Sequence, residues 1–407
     1  MVFMRTGNKV NLMNDGSNVR LVLMCNDIEV LSIDMDNGDV DIVNEFLIPL
    51  QLQRRFKFYE KKQTYTERDI KYIIAYGSKN RSAIVDWLAN RTLLLSRANA
   101  KKIYQAYRLE QLTDEKSRAK LSIACRALSV LDNYWVKLST DNITKWDDIN
   151  IRHNPLNQAV AQIALHGTSL SLQGSLQSPE FTTNGAYAKA WHRDEDGSLW
   201  LYKLNDINST AKIEVMVSNI LDCMNVTHCH YEAREDMGEY VCACPLMTND
   251  DISIADGLTF NGYCNRLGVN PIDELIRLDA DGFYKMLVVD YLIANPDRHG
   301  QNWGVYYDSD TVEVLRLHPL FDHNNAFDNG VMDDENYLSH FYDNKSLKEN
   351  AMMAIKKVDV HFTKPITRDM FLTTKQYETF MKRAEQLGIN TTVNPLLAAA
   401  SKGIVCI

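Results

Sequence analysis

Cysteine is sparse in this sequence. Its eight residues in 407 are scattered without the close, even spacing of a disulfide framework, which excludes a small stapled scaffold and fits a reducing compartment. No apolar run reaches the ~18 residues that a membrane-spanning helix requires, and the start of the chain lacks a basic, apolar, small-residue signal pattern. The expectation is a cytoplasmic protein without a membrane partner. Positive charge is also in deficit: 44 Lys and Arg stand against 53 Asp and Glu, for a net charge of -9. That balance argues against a protein that coats nucleic acid, and the basic patch Arg54-Arg55-Phe56-Lys57 reads as a solvated face. Internal repeats and low-complexity tracts are missing too, which removes solenoid and collagen-like readings.

What is present is an ordinary globular composition, 45% hydrophobic and 24% charged, long enough for two or three domains. Residues 19–25, 28–33 and 40–43 read as a small strand meander, with Asn37-Gly38 as a hairpin turn. From Glu67 to Leu138 the period changes to three and four, through Ile84, Trp87 and Leu88, then Ile103, Tyr104 and Tyr107, then Leu128, Leu131 and Trp135, which predicts helices. A polar, linker-like stretch at 139–155 places a domain boundary there. The organisation predicted is an accessory domain at 1–155, a sheet-rich part at 156–250 and a helical part at 251–407.

The chemistry concentrates near the end of the chain. An apolar helix over Asp281 to Ala294 is broken by Asn295-Pro296, because proline disfavours the helical state in the residue before it, and Asp297 follows directly. Asn302 lies five residues on. A hairpin through Trp303 to Tyr307 and Val312 to Leu317 then returns the chain to Asp322. An aspartate, an asparagine five residues later and a second aspartate beyond a strand pair is the order of a phosphoryl-transfer site. There the first carboxylate accepts the proton of the attacking hydroxyl, and the other two side chains hold magnesium. An amide and a carboxylate oxygen suit that hard ion. His299 sits between them, to touch phosphate or, as the better reading, to brace the loop.

Upstream, residues 167–185 supply glycines and hydroxyls of the kind that approach phosphate oxygens, among them Ser175, Ser178, Thr182 and Thr183. Strands follow over 186–192 and 199–203, and Lys203 ends the second inside the apolar run Leu199-Trp200-Leu201-Tyr202. Such a lysine needs an anion. Glu214, one to two turns into a helix opened by Ser209-Thr210, is the candidate partner. The strand Glu239 to Cys244 then leaves toward Pro245 and Leu246, where a kinase-like connector would offer the backbone of Cys244 and Leu246 to an adenine edge. His228, Cys229 and His230 alternate, as do Cys242 and Cys244. A zinc cage is conceivable from the two groups, but buried thiols on a strand suit this spacing better.

The ordered set, with Asn295-Pro296-Asp297-Arg298-His299, Asn302 and Leu320-Phe321-Asp322-His323, resembles the HipA-like serine/threonine kinases over about residues 165–390. That family is related to the phosphatidylinositol kinases, which also carry an Asp-Arg-His-x-x-Asn loop. The resemblance implies an α+β, bilobal protein-kinase-like fold, ATP and Mg2+ as cofactors, Asp297 as catalytic base, Asn302 and Asp322 as metal ligands and Lys203 on the phosphates. It further implies a protein substrate, self-regulation by autophosphorylation in the phosphate loop, and an antitoxin-like protein partner in a toxin-antitoxin or phage-related setting. The first ~160 residues and the segment Ser178-Pro179-Glu180 depart from the usual family pattern. A lipid kinase and a catalytically silent nucleotide-binding scaffold are the alternatives; the acidic charge and the lack of a basic amphipathic helix count against the first.

Overall fold

The computed structural model describes residues 2–6, 9–13, 19–60, 62–109, 114–142, 145–172, 176–183, 185–339, 341–342 and 344–390. Two compact units divide the chain: Met1–His192 with Thr248–Ser253 and Asp308–Glu313, and Arg193–Met247 with Ile254–Tyr307 and Val314–Ile407.

In the first unit, β1 (Val2–Thr6) and β2 (Lys9–Met13) form a hairpin. The predicted meander is present as β3 (Leu21–Cys25), β4 (Ile28–Ile33) and β5 (Val40–Ile42). All five residues of β3 are buried, which explains their unbroken apolar run: a central strand covered on both faces has no polar side to alternate. Helix α1 (Glu67–Ala89) begins with a capping box between Thr66 and Asp69, and α2 (Ala100–Ala106), α3 (Glu115–Ala124) and α4 (Gln158–His166) follow.

The helical reading does not extend to Trp135. That residue belongs to β6 (Tyr134–Leu138), which pairs antiparallel with β3 and completes a sheet of order β5-β4-β3-β6. The spacing of Leu128, Leu131 and Trp135 matched a helical face, but pairing with β3 outweighed local periodicity. Trp135 is fully buried all the same, and its Nε1 donates to Asn26 O at 2.7 Å. Among the described residues of 139–155, Trp146, Ile149, Ile151 and Arg152 are likewise buried. Strand β7 (Lys189–Arg193) closes the N-terminal part.

The second unit starts with β8 (Leu199–Leu204), α5 (Thr210–Leu221), β9 (Glu232–Asp236) and β10 (Glu239–Pro245). β10 lies between β8 and β9, antiparallel to both, and its register sets Cys242 opposite Lys203. β11 (Ile252–Asp256), α6 (Gly257–Leu267) and α7 (Pro271–Leu292) follow. Helix α7 is kinked at Asp279, and beyond the kink Phe283 and every residue from Met286 to Leu292 are buried, including Asp290. The predicted hairpin is β12 (Gly304–Asp308) and β13 (Val314–Leu317), with the turn residue Val312 at φ 59°. The chain then runs through α8 (Asn329–Asp333), α9 (Leu347–Ala354) and α10 (Thr374–Gln386). No helix among the described residues is long and apolar enough to cross a membrane.

Candidate functional site

Lys203 is presented by β8 and Glu214 by the second turn of α5, and both are buried. Sequence reading gave the cap of α5 to Ser209. In the structure Ser209 takes a left-handed conformation without capping, and Asp206 instead accepts from the backbone of Asn208 and Thr210. A carboxylate there favours the positive end of the helix dipole. One turn further, Glu214 faces the sheet.

The lysine Nζ lies 2.8 Å from both Glu214 oxygens and 2.9 Å from Asp322 Oδ1, and it stands 5.1 Å from the centre of the Tyr231 ring. Burial disfavours its charge, but Asp322 and Glu214 outweigh that and hold its pKa well above the ordinary lysine value. Burial raises the Glu214 carboxyl, against the pull of the adjoining ammonium. Contact with both carboxylate oxygens keeps this an ion pair at neutral pH. Cys229, Cys242 and Cys244 belong with Ala211, Val215 and Tyr231 to the buried cluster behind it, so these thiols act as small core side chains.

The loop after α7 is built on a buried ion pair. Arg298 Nη2 lies 2.8 Å from Asp290 Oδ1 and its Nε 3.0 Å from Oδ2. The remaining edge of the guanidinium donates to the carbonyl of Asn302 and, at 2.9 Å, to that of Phe321. One arginine therefore ties the backbone at Asn302 to the residue before Asp322. Asn295, fully buried, donates to Asp290 at 2.9 Å and accepts from the Asp297 N–H at 3.1 Å, which fixes where Asp297 emerges.

Asp297 is only partly covered. Its Oδ2 accepts from Asn302 Nδ2 at 3.2 Å and from Asn325 Nδ2 at 2.7 Å. Asn302 also donates to the Asp297 carbonyl at 2.7 Å, so its amide nitrogen is committed to Asp297 and its oxygen is the atom suited to a cation. His299 accepts the Gln301 N–H at Nδ1, 3.1 Å, which leaves the proton on Nε2, 3.7 Å from Asp297 Oδ1. Asp322 sits at φ 58°, a left-handed conformation that costs energy in a non-glycine residue and aims its carboxylate at Lys203. The oxygen donors of Asn302 and Asp322 fit Mg2+, which takes one or two protein oxygens and fills the rest of its shell with water and phosphate.

Other predicted site residues are placed differently. Ser178, Thr182 and Thr183 belong to the first unit, where a short turn of helix at Pro179–Phe181 engages their hydroxyls. Ser178 bonds to Glu180, and Thr182 and Thr183 donate to the Pro179 carbonyl at 3.3 and 2.7 Å. Ser175 lies outside the described residues. Cys244 is buried, and the Leu246 N–H is given to Leu199 O at 2.8 Å. Asn325 had no signal in the sequence: it follows Asp322 in an irregular stretch where no periodicity singles it out.

No protein-family model matches the chain, and no curated protein matches it either. Solved structures do. The Helicobacter pylori proinflammatory kinase CtkA is 15% identical, with 53% of this chain and 94% of that chain covered and a TM-score of 0.35. HipA of Shewanella oneidensis MR-1, solved with HipB and operator DNA in a toxin-antitoxin system, is 10% identical with a TM-score of 0.50. That match covers 91% of this chain and 98% of HipA, so 9% of 407 residues, about 37, lie outside it and most of the N-terminal region lies within. The chain has an α+β, kinase-like fold.

Proposed function

We propose that this protein is an ATP- and magnesium-dependent serine/threonine protein kinase of the HipA-like kind. The observation that carries the reading is the meeting of Lys203, Glu214 and Asp322 in one buried ionic cluster. Glu214 holds the ammonium in place, and Lys203 binds and orients the phosphates of ATP. Asp297, steadied by Asn302 and Asn325, accepts the proton of the attacking hydroxyl. Asn302 and Asp322 would hold Mg2+, which would neutralise charge developing on the phosphates. Arg298 keeps the two stretches in register, and His299 braces the loop by accepting the Gln301 N–H.

The same proposal assigns the accessory role to 1–155, the nucleotide-binding part to 156–250 and the catalytic part to 251–407. The HipA neighbour was solved with HipB and operator DNA, and an antitoxin-like protein partner for this chain belongs to the proposal as well. Ser178 and Thr182 are buried, so autophosphorylation at either requires their segment to open.

The test is incubation of purified protein with labelled ATP and magnesium, alone and with a generic protein substrate, followed by phosphosite mapping. Asp297→Ala should cut transfer about 10²- to 10⁴-fold, the usual worth of a general base. Equal, negligible incorporation by both proteins would leave the scaffold reading. Transfer to phosphatidylinositol vesicles and not to protein would make it a lipid kinase.

A further inference from the structure

A second cluster of titratable side chains stands at the C-terminal end of α5. Asp222 is the C-cap of that helix, and the chain passes through Val226 and comes back along His228 and His230 toward β9. His228 Nε2 lies 3.3 Å from Asp222 Oδ1, and His230 Nδ1 lies 3.2 Å from Oδ2. The three side chains offer ligand atoms all within 4.8 Å of one another. Cys229, between the histidines, is buried in the thiol cluster instead, as strand-like alternation requires.

The orientation of His228 is what points to a ligand. Its side chain is only 7% exposed, and its Nδ1 lies 3.1 Å from the Val226 carbonyl, which can only accept. The proton therefore sits on Nδ1, and Nε2 presents a lone pair. That buried Nε2 makes no hydrogen bond. It faces a carboxylate oxygen, and two lone pairs opposed at this distance repel unless a proton or a metal ion lies between them. Asp222 also adds negative charge where the helix dipole is already negative, which a cation would offset.

We propose that Asp222, His228 and His230 form a binding site for a divalent transition-metal ion of the zinc class, with water completing its shell. Zinc-to-ligand distances of about 2.0–2.1 Å set tetrahedral ligand atoms roughly 3.3 Å apart, close to the two separations found here. Two imidazoles and one carboxylate select such an ion over magnesium or calcium. The Nδ1–H to carbonyl bond of His228 is the outer contact that fixes a metal-ligating histidine. Half-exposed His230 leaves the site open to solvent. Bound metal would pin the end of the helix that carries Glu214 to the segment leading into β9.

The test is titration of the untagged, metal-free full chain with Zn2+ alone, without nucleotide or magnesium, followed by calorimetry and by melting temperature. Co2+ serves as a second probe through its visible d–d bands. One equivalent should bind and raise the melting temperature. His230→Gln, at an exposed position that leaves the fold intact, should weaken binding at least about tenfold, and the His228→Gln/His230→Gln pair should abolish it and the Co2+ bands. Asp322→Asn should bind Zn2+ as the wild type does. The proposal is overturned if the wild type takes up no Zn2+, if His230→Gln binds equally well, or if Asp322→Asn and not the histidine pair loses the metal.

Discussion

Replacing Arg298 tests how the loop after α7 is held. Its side chain is 2% exposed and that of Asp290 is 3%, so the pair is dry, and the same guanidinium serves the carbonyls of Asn302 and Phe321. Arg298→Met keeps the volume roughly but leaves Asp290 as a buried carboxylate with the Asn295 amide as a neutral donor. Removing one partner of a buried pair costs about 3–5 kcal/mol, a large share of the ~5–15 kcal/mol that stabilises a domain. Arg298→Lys restores the charge, but an ammonium lacks the planar fork that reaches a carboxylate and two carbonyls together, and roughly 1.5–3 kcal/mol should be lost. Urea denaturation gives the magnitude. Hydrogen exchange over residues 290–302 and 319–323 locates it, with both segments losing protection together. Asp290→Asn combined with Arg298→Met should cost less than the two single changes added, by about 0.5–3 kcal/mol of coupling. If Arg298→Met unfolds within about 1 kcal/mol of the wild type, or if exchange rises in one segment alone, the clamp does not exist.

Three further outcomes are expected. Asp322→Asn should abolish the rise in melting temperature produced by Mg-ATP, and an unchanged rise would move the metal elsewhere. Trp135→Ala should cost about 3–5 kcal/mol, since it opens a cavity in the β5-β4-β3-β6 sheet and strands the Asn26 carbonyl; a loss below about 1 kcal/mol would contradict its core role. Burial pushes the His318 imidazole down to about 4 from an ordinary value of 6.5. The folded state thus prefers it neutral while the unfolded chain takes up the proton below 6.5. Its contribution is complete above pH 6.5 and is lost as pH falls toward 4, up to about 3 kcal/mol. His318→Gln should flatten the stability profile between pH 6.5 and 4.5, and parallel profiles for variant and wild type would refute this.

Local pattern sufficed where the chemistry of the chain is local. The meander at β3 to β5, the strand ending at Lys203, the buried helix before Asn295-Pro296 and the hairpin after Trp303 are readable because each carries its own periodicity and its own stop signal. Pattern failed where a distant segment decided. Trp135 kept a helical spacing and became a strand because β3 offered its edge, and Ser209 looked like a cap while Asp206 took that position. The described residues of 145–155 lacked periodicity because their buried groups, among them Trp146 and Arg152, are scattered along largely irregular chain.

The order of lysine, glutamate, aspartate, asparagine and aspartate is a property of the sequence, and the phosphoryl-transfer proposal starts from it. Which atoms meet is not. The contact of Lys203 with Asp322, 119 residues apart, the arginine that joins Asn302 to Phe321, and Asn325 on the Asp297 carboxylate exist only after folding. The reason is physical: side-chain type and spacing along one strand or helix are set by its own covalent geometry. Ion pairs and hydrogen bonds between elements depend on how the buried helix, the hairpin and the sheet are packed, and no single segment encodes that.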